Sequence, residues 1–206
     1  MIASLAMRTR SFSMALAATL LAAHAVPSFL VTFAGESRAE AMTARAATLR
    51  ELVTLADLVV EGTPEESKSL WEEIPGGGRR IVTYSRVSVS QVVYGAGQSD
   101  VWVRTLGGTV GNVGQRVEGE SVLVPGERAV FFLKKRDDGT HAVAEMSQGH
   151  YLVKQADGAQ RLHPSPHLGH LVKSDKSSPL ARELLVGKAI DDASALIRAE
   201  RKAAGL

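Results

Sequence analysis

The sequence predicts a mainly β fold, a small antiparallel barrel or sandwich preceded by one short helix and followed by two. Three observations carry this. Between Leu58 and Val153 the chain holds six short runs rich in β-branched and aromatic residues, with turn residues and no helical period between them. Thr48-Leu49-Arg50-Glu51 has the form of a capping box, in which the hydroxyl and the carboxylate each satisfy a main-chain N–H of the other. After residue 178 the apolar period changes to that of helices.

Leu49, Leu52, Val53 and Ala56 recur at helical spacing, so a helix is expected over 49–56. Leu58-Val59-Val60 reads as a buried strand ended by Gly62-Thr63-Pro64. Residues 63–78 are polar, close on three glycines and are expected to form a loop that exposes Trp71. Arg79–Tyr94 is a long strand whose alternation breaks at Val92, which places a bulge near Ser90-Gln91. Val101–Thr105 is the next strand, with Trp102 opposite Val101 and Val103 and expected in the core. Residues 107–119 form a glycine-rich loop. Ala129–Leu133 is the most apolar strand, and Asp138-Gly139 is a hairpin turn leading to His141–Met146 and Tyr151–Val153. The segment 48–154 is thus the β domain and 155–177 a polar linker. Within 178–203, Ser178-Pro179 opens a helix to Gly187, and a second runs over Asp191–Ala203.

The first 41 residues have a different character. Arg8 and Arg10 precede an apolar run from Phe12 to Ala25, and small-x-small sites end at Ala25 and Ala41. This is the pattern of a secretory signal peptide, and cleavage after Ala41 clears the whole apolar stretch. The competing outcome is that residues 12–34 stay as a membrane anchor of a structural envelope protein. The expected location is therefore secreted or periplasmic, with membrane contact only in the anchored case.

Composition excludes several function classes. The 206 residues include no cysteine, which removes disulfides, thiol nucleophiles and cysteine-based zinc sites. Mean hydropathy is +0.01 and the pI about 9.0. Loss of residues 1–41 would take the net charge only from +2 to +1, and the densest basic run, Lys134-Lys135-Arg136, meets Asp137-Asp138 at once. No concentrated basic face follows, so no nucleic-acid partner is expected.

Among chemical candidates, the glycine loop matches neither a dinucleotide fingerprint nor a phosphate loop. Gly107, Gly108, Asn112, Gln115 and Arg116, together with Trp71, are instead taken as contacts to a partner. His163, His167 and His170 could in principle hold Zn²⁺ with an open position, although Pro164 and Pro166 prevent a helix that would align them. His141 and His150, with Glu145 and Ser147, allow a hydrolase set to be written, without a nucleophile elbow. No catalytic residue and no cofactor are assigned, and the metal-dependent or hydrolytic enzyme is kept as the alternative.

The succession LADLVVEGTP, TYSRVSVSQVVYG, VWVRTLGG, VPGERAVFFL and MSQGHYLV resembles small secreted bacterial proteins that look like the barrel of tissue inhibitors of metalloproteinases and netrin modules. The resemblance spans roughly residues 55–154 and implies an OB-like closed barrel. That family inhibits through a disulfide-pinned N-terminal cysteine, which this chain lacks. What the resemblance implies here is a non-enzymatic exported domain whose loops meet another exported protein, such as a protease.

Overall fold

The computed structural model describes residues 44–173 and 178–206. The expected signal or anchor segment, 1–41, lies outside them. Among the described residues, no helix is long and apolar enough to cross a membrane.

The elements run β1 (Ala44–Arg45), α1 (Leu49–Leu55), β2 (Leu58–Glu73), β3 (Arg79–Tyr94), β4 (Asp100–Leu106), β5 (Gly108–Val110), β6 (Val113–Gln115), β7 (Ala129–Lys135) and β8 (His141–Val143). A 3₁₀ turn (Met146–Gly149) follows, then β9 (His150–Ala156), β10 (Ala159–Pro164), β11 (Leu171–Val172), α2 (Ala181–Leu185) and α3 (Ile190–Ala203). The main sheet has seven strands in the order β10-β9-β7-β2-β3-β4-β8, and β8 also pairs with β7.

The expected antiparallel OB-like barrel is not what forms, and the resemblance to the inhibitor and netrin barrel fails with it. The fold is mixed α/β. Its sheet returns on itself as a ring but is not a closed barrel, because β4 meets β8 at one parallel pair, Val103 and His141. A barrel needs a continuous, evenly sheared ladder around its circumference. β1 and β11 also pair in parallel, so the sheet content is mixed rather than all antiparallel.

The helices are part of the core rather than flanks. Along β7, Ala129, Phe131 and Leu133 face the ring interior with Leu58, Val60, Val87, Val101 and Val103. Val130 and Phe132 face the other way, with Val59, against Leu49, Leu52 and Val53 of α1, Leu185 of α2 and Ile197 of α3. The unbroken apolar run of β7 is thus the mark of a strand buried on both faces.

Helix α1 begins at the predicted capping box: Glu51 N–H donates to Thr48 Oγ1 at 3.2 Å, and Thr48 N–H donates to Glu51 Oε2 at 2.8 Å. Its last carbonyls would lack partners, as helix ends do. Tyr94 Oη supplies one, donating to Val53 O at 3.1 Å, and the Arg201 guanidinium of α3 donates to the same oxygen at 3.1 Å while lying 4.1 Å over the Tyr94 ring. A cation at a helix C-terminus also opposes the helix dipole.

Three expectations change at residue level. Residues 63–73, expected in a loop, continue β2 and pair with β3 up to Glu73 and Arg79. The ladder there is held by polar cross-strand pairs, Ser67 with Ser85, Ser69 with Thr83, and Glu72 with Arg80, so no apolar alternation announces it. Residues 159–164, expected in the linker, form β10 against β9. Trp102 is 44% exposed, on the outer side of β4, rather than in the core. The bulge is where the alternation placed it: Glu61 faces Gln91 and Gly62 faces Val89, leaving Ser90 as the extra residue.

Because Phe132 is fully buried where all three helices meet the sheet, Phe132→Ala is expected to lower unfolding free energy by about 3–5 kcal/mol. Equilibrium denaturation of the variant measures it.

Candidate functional site

The ribbon formed by β2 and β3 sets the position of the glycine segment. At the end of β4, Gly107 and Gly108 take φ values of 90° and 125°, a region that side chains rarely occupy. They also need the space: a Cβ on Gly107 would sit 2.7 Å from Gln115 O, and one on Gly108 would collide with Thr83 Oγ1 and Ser69 Oγ. The two glycines therefore let the β5–β6 hairpin lie directly on the ribbon.

Polar bonds hold it there. Gly107 N–H donates to Ile81 O at 2.8 Å, and Thr83 Oγ1 donates to Gly107 O at 2.7 Å. Ile81 N–H donates to the Gln115 side-chain oxygen at 2.6 Å. The segment expected as an irregular loop is thus partly a braced hairpin that turns at Gly111-Asn112.

Between this hairpin and residues 116–122 lies a cleft of about 300 Å³. Gly108, Thr109, Gln115, Arg116, Glu120 and His167 are among the residues that line it. Glu120 is 9% exposed, and its carboxylate accepts from Ser121 N–H at 3.0 Å. Burial pushes its pKa up, against the stabilising main-chain N–H groups of Ser121 and Leu106 and the charge of Arg104. At the rim, Arg116 is largely exposed, 3.9 Å from Glu118, and Val122 is 48% exposed. The cleft offers one desolvated acid, one exposed guanidinium paired with Glu118, a side-chain amide and apolar edges, which suits an extended peptide segment.

The expected contacts are thus only partly gathered. Gly108, Gln115 and Arg116 line the cleft, Gly107 braces its neck, and Asn112 is exposed at the hairpin tip. Trp71 lies on the ribbon, with the Arg79 guanidinium 4.4 Å over its ring. Glu120 was not signalled by the sequence reading. Ser121 and Leu123 turn inward while Val122 and Val124 are exposed, an alternation that would place Glu120 outside, so no local cue marks its burial.

The histidines do not assemble. Of the proposed ligands, His163 lies on β10, His167 on the cleft wall and His170 just before β11. Among the described residues, no group of three metal-ligating side chains is close enough to hold an ion. His141 and His150 line different cavities. Ser147 Oγ donates to His167 O at 3.2 Å, so its hydroxyl is engaged with a carbonyl rather than with a base.

His150 is 2% exposed and stacks on Phe131 at 4.9 Å between ring centroids, and its Nδ1 has no hydrogen-bond partner among the described residues. Burial, with a smaller push from His167, lowers its pKa from 6.5 to about 4. A lowered histidine pKa means that the unfolded chain binds more protons between those values. Its contribution to stability is therefore present above pH 6.5 and lost as pH falls toward 4. The full effect is roughly 3 kcal/mol at 1.36 kcal/mol per pKa unit. Glu120 has the opposite sign: its raised pKa favours the protonated folded form, a contribution lost as pH rises. Comparing denaturation midpoints of wild type and His150→Phe across this pH range isolates the histidine. The wild type is expected to lose roughly 3 kcal/mol more than the variant on acidification.

In comparisons with known proteins, no family model and no curated protein matches the chain.

Proposed function

We propose that this chain is a non-catalytic recognition domain acting outside the cytoplasm, and that it holds a segment of another exported protein in the cleft beside the β5–β6 hairpin. The observation that carries this is the bracing of the hairpin on the ribbon through Gly107, Thr83, Ile81 and Gln115. A wall fixed in this way meets a partner with little ordering cost, which is what preorganisation contributes to affinity. β5 lies against the ribbon, with Thr109 N–H donating to Ser69 Oγ, and exposed β6 offers its edge to an added extended segment. Val113 on the hairpin and Val122 on the cleft wall are each more than 40% exposed, and they supply apolar contact. Export rests on Arg8, Arg10 and the apolar run 12–25.

The test is a photo-activated crosslinking residue placed in turn at Val113, at Arg116 and, as a control, at Lys202 on α3, in the producing cell. One discrete adduct shared by the first two positions and missing from the third is expected. Arg116→Glu should weaken the captured complex by about tenfold. Adducts equal at all three positions, or confined to Lys202, contradict the proposal.

A further inference from the structure

A second cleft, of about 480 Å³, lies at the other end of β4. Trp102 lines this cleft and Leu106 the first, so roughly 13 Å of β-strand lies between them. The alternation of β4 explains why the wall includes Trp102. Val101 and Val103, at 3% and 0% exposure, point into the ring, so the indole must point outward. Tryptophan contributes most to folding when its large surface is buried. An indole left 44% exposed in a concave, half-polar setting contributes little of that.

The polar groups around it are fixed. Asp57, just before β2, accepts Lys135 N–H at 2.7 Å. Asp100 accepts from Arg86 and from Ser99 Oγ, both at 3.0 Å. Asp138 accepts Thr140 N–H at 3.0 Å and Thr140 Oγ1 at 2.6 Å. A carboxylate has about four acceptor positions, so each keeps lone pairs for a further donor. Gln98, from the β3–β4 turn, lines the same cleft and adds an amide.

Charge narrows the ligand class. The three carboxylates in the lining repel phosphate, which disfavours a nucleotide on the indole. Two of the three are held by arginines, Asp100 by Arg86, which also serves Glu65 and Glu66, and Asp138 by Arg136, while the Lys135 main-chain N–H holds Asp57. Each carboxylate is thus fixed in orientation, which suits directional hydroxyl donors. The wall sets a flat apolar face among oriented acceptors and the Gln98 amide, with Lys135, Thr140 and His141 beside them. We propose that this cleft binds a neutral saccharide, one sugar ring lying with its C–H face on Trp102 and its hydroxyls donating to Asp57 and Asp100. This does not depend on the peptide cleft.

The chain has two tryptophans, so Trp71→Phe leaves Trp102 as the sole indole and its emission as the reporter. This variant is titrated with tetrasaccharides of glucose, N-acetylglucosamine and mannose, and with adenosine monophosphate and tetramethylammonium as competing classes. A saturable emission shift with at least one tetrasaccharide, and with neither competitor, is expected. By calorimetry on the otherwise native chain, the same sugar should lose all measurable binding in Trp102→Ala. In Trp102→Phe it should bind about tenfold more weakly. The phenylalanine variant also carries the test if the alanine variant does not fold. Absence of a saturable response to all three sugars, a response only to a competitor, or wild-type affinity in Trp102→Phe overturns the proposal.

Discussion

The fold depends on one strand that buries both of its faces. Phe131 and Leu133 on one side of β7 fill the ring, while Val130 and Phe132 on the other receive α1, α2 and α3. Neither layer could keep its apolar surface from water without the other, since an amphipathic helix and a one-faced sheet each need a cover. This constraint also explains why a chain without cysteine can hold a sheet that is not closed into a barrel. Helices seal the outer face where a barrel would have relied on its ladder.

From that centre the candidate sites follow by connection. β2 leaves the core beside β7 and runs out with β3 as a polar ribbon. Arg104 of β4, nearly buried, donates to Glu72 at 3.1 Å and ties the ribbon to the sheet. The hairpin then rests on the ribbon, and the first cleft forms beneath it. The opposite end of β4 holds Trp102, so a single seven-residue strand spans both candidate sites.

What could be read in the sequence was whatever burial writes into side-chain pattern. The capping box, the runs 79–94, 101–105 and 129–133 and the bulge at Ser90 are such features, and they are present. The outer half of β2 and all of β10 escaped because main-chain pairing holds them, and a ladder supported by Ser, Thr, Glu and Arg looks like a loop. The barrel was misread for a related reason. Strand count and turns do not encode that β8 joins β4 by one parallel pair, nor that the terminal helices cover β7. Gly107 and Gly108 marked a place of close backbone approach, but the approach is to the protein's own ribbon. Glu120 left no local signal, because the cleft that it lines is completed by His167, far along the chain.

Native-state hydrogen exchange across a denaturant series tests the central claim most directly. If the two-faced burial of β7 welds helices and ring into one cooperative unit, the slowest amides of β7, β3 and α3 converge on a single opening that equals global unfolding. Release of α3 through a separate, lower-energy opening while β7 and β3 stay protected would contradict it.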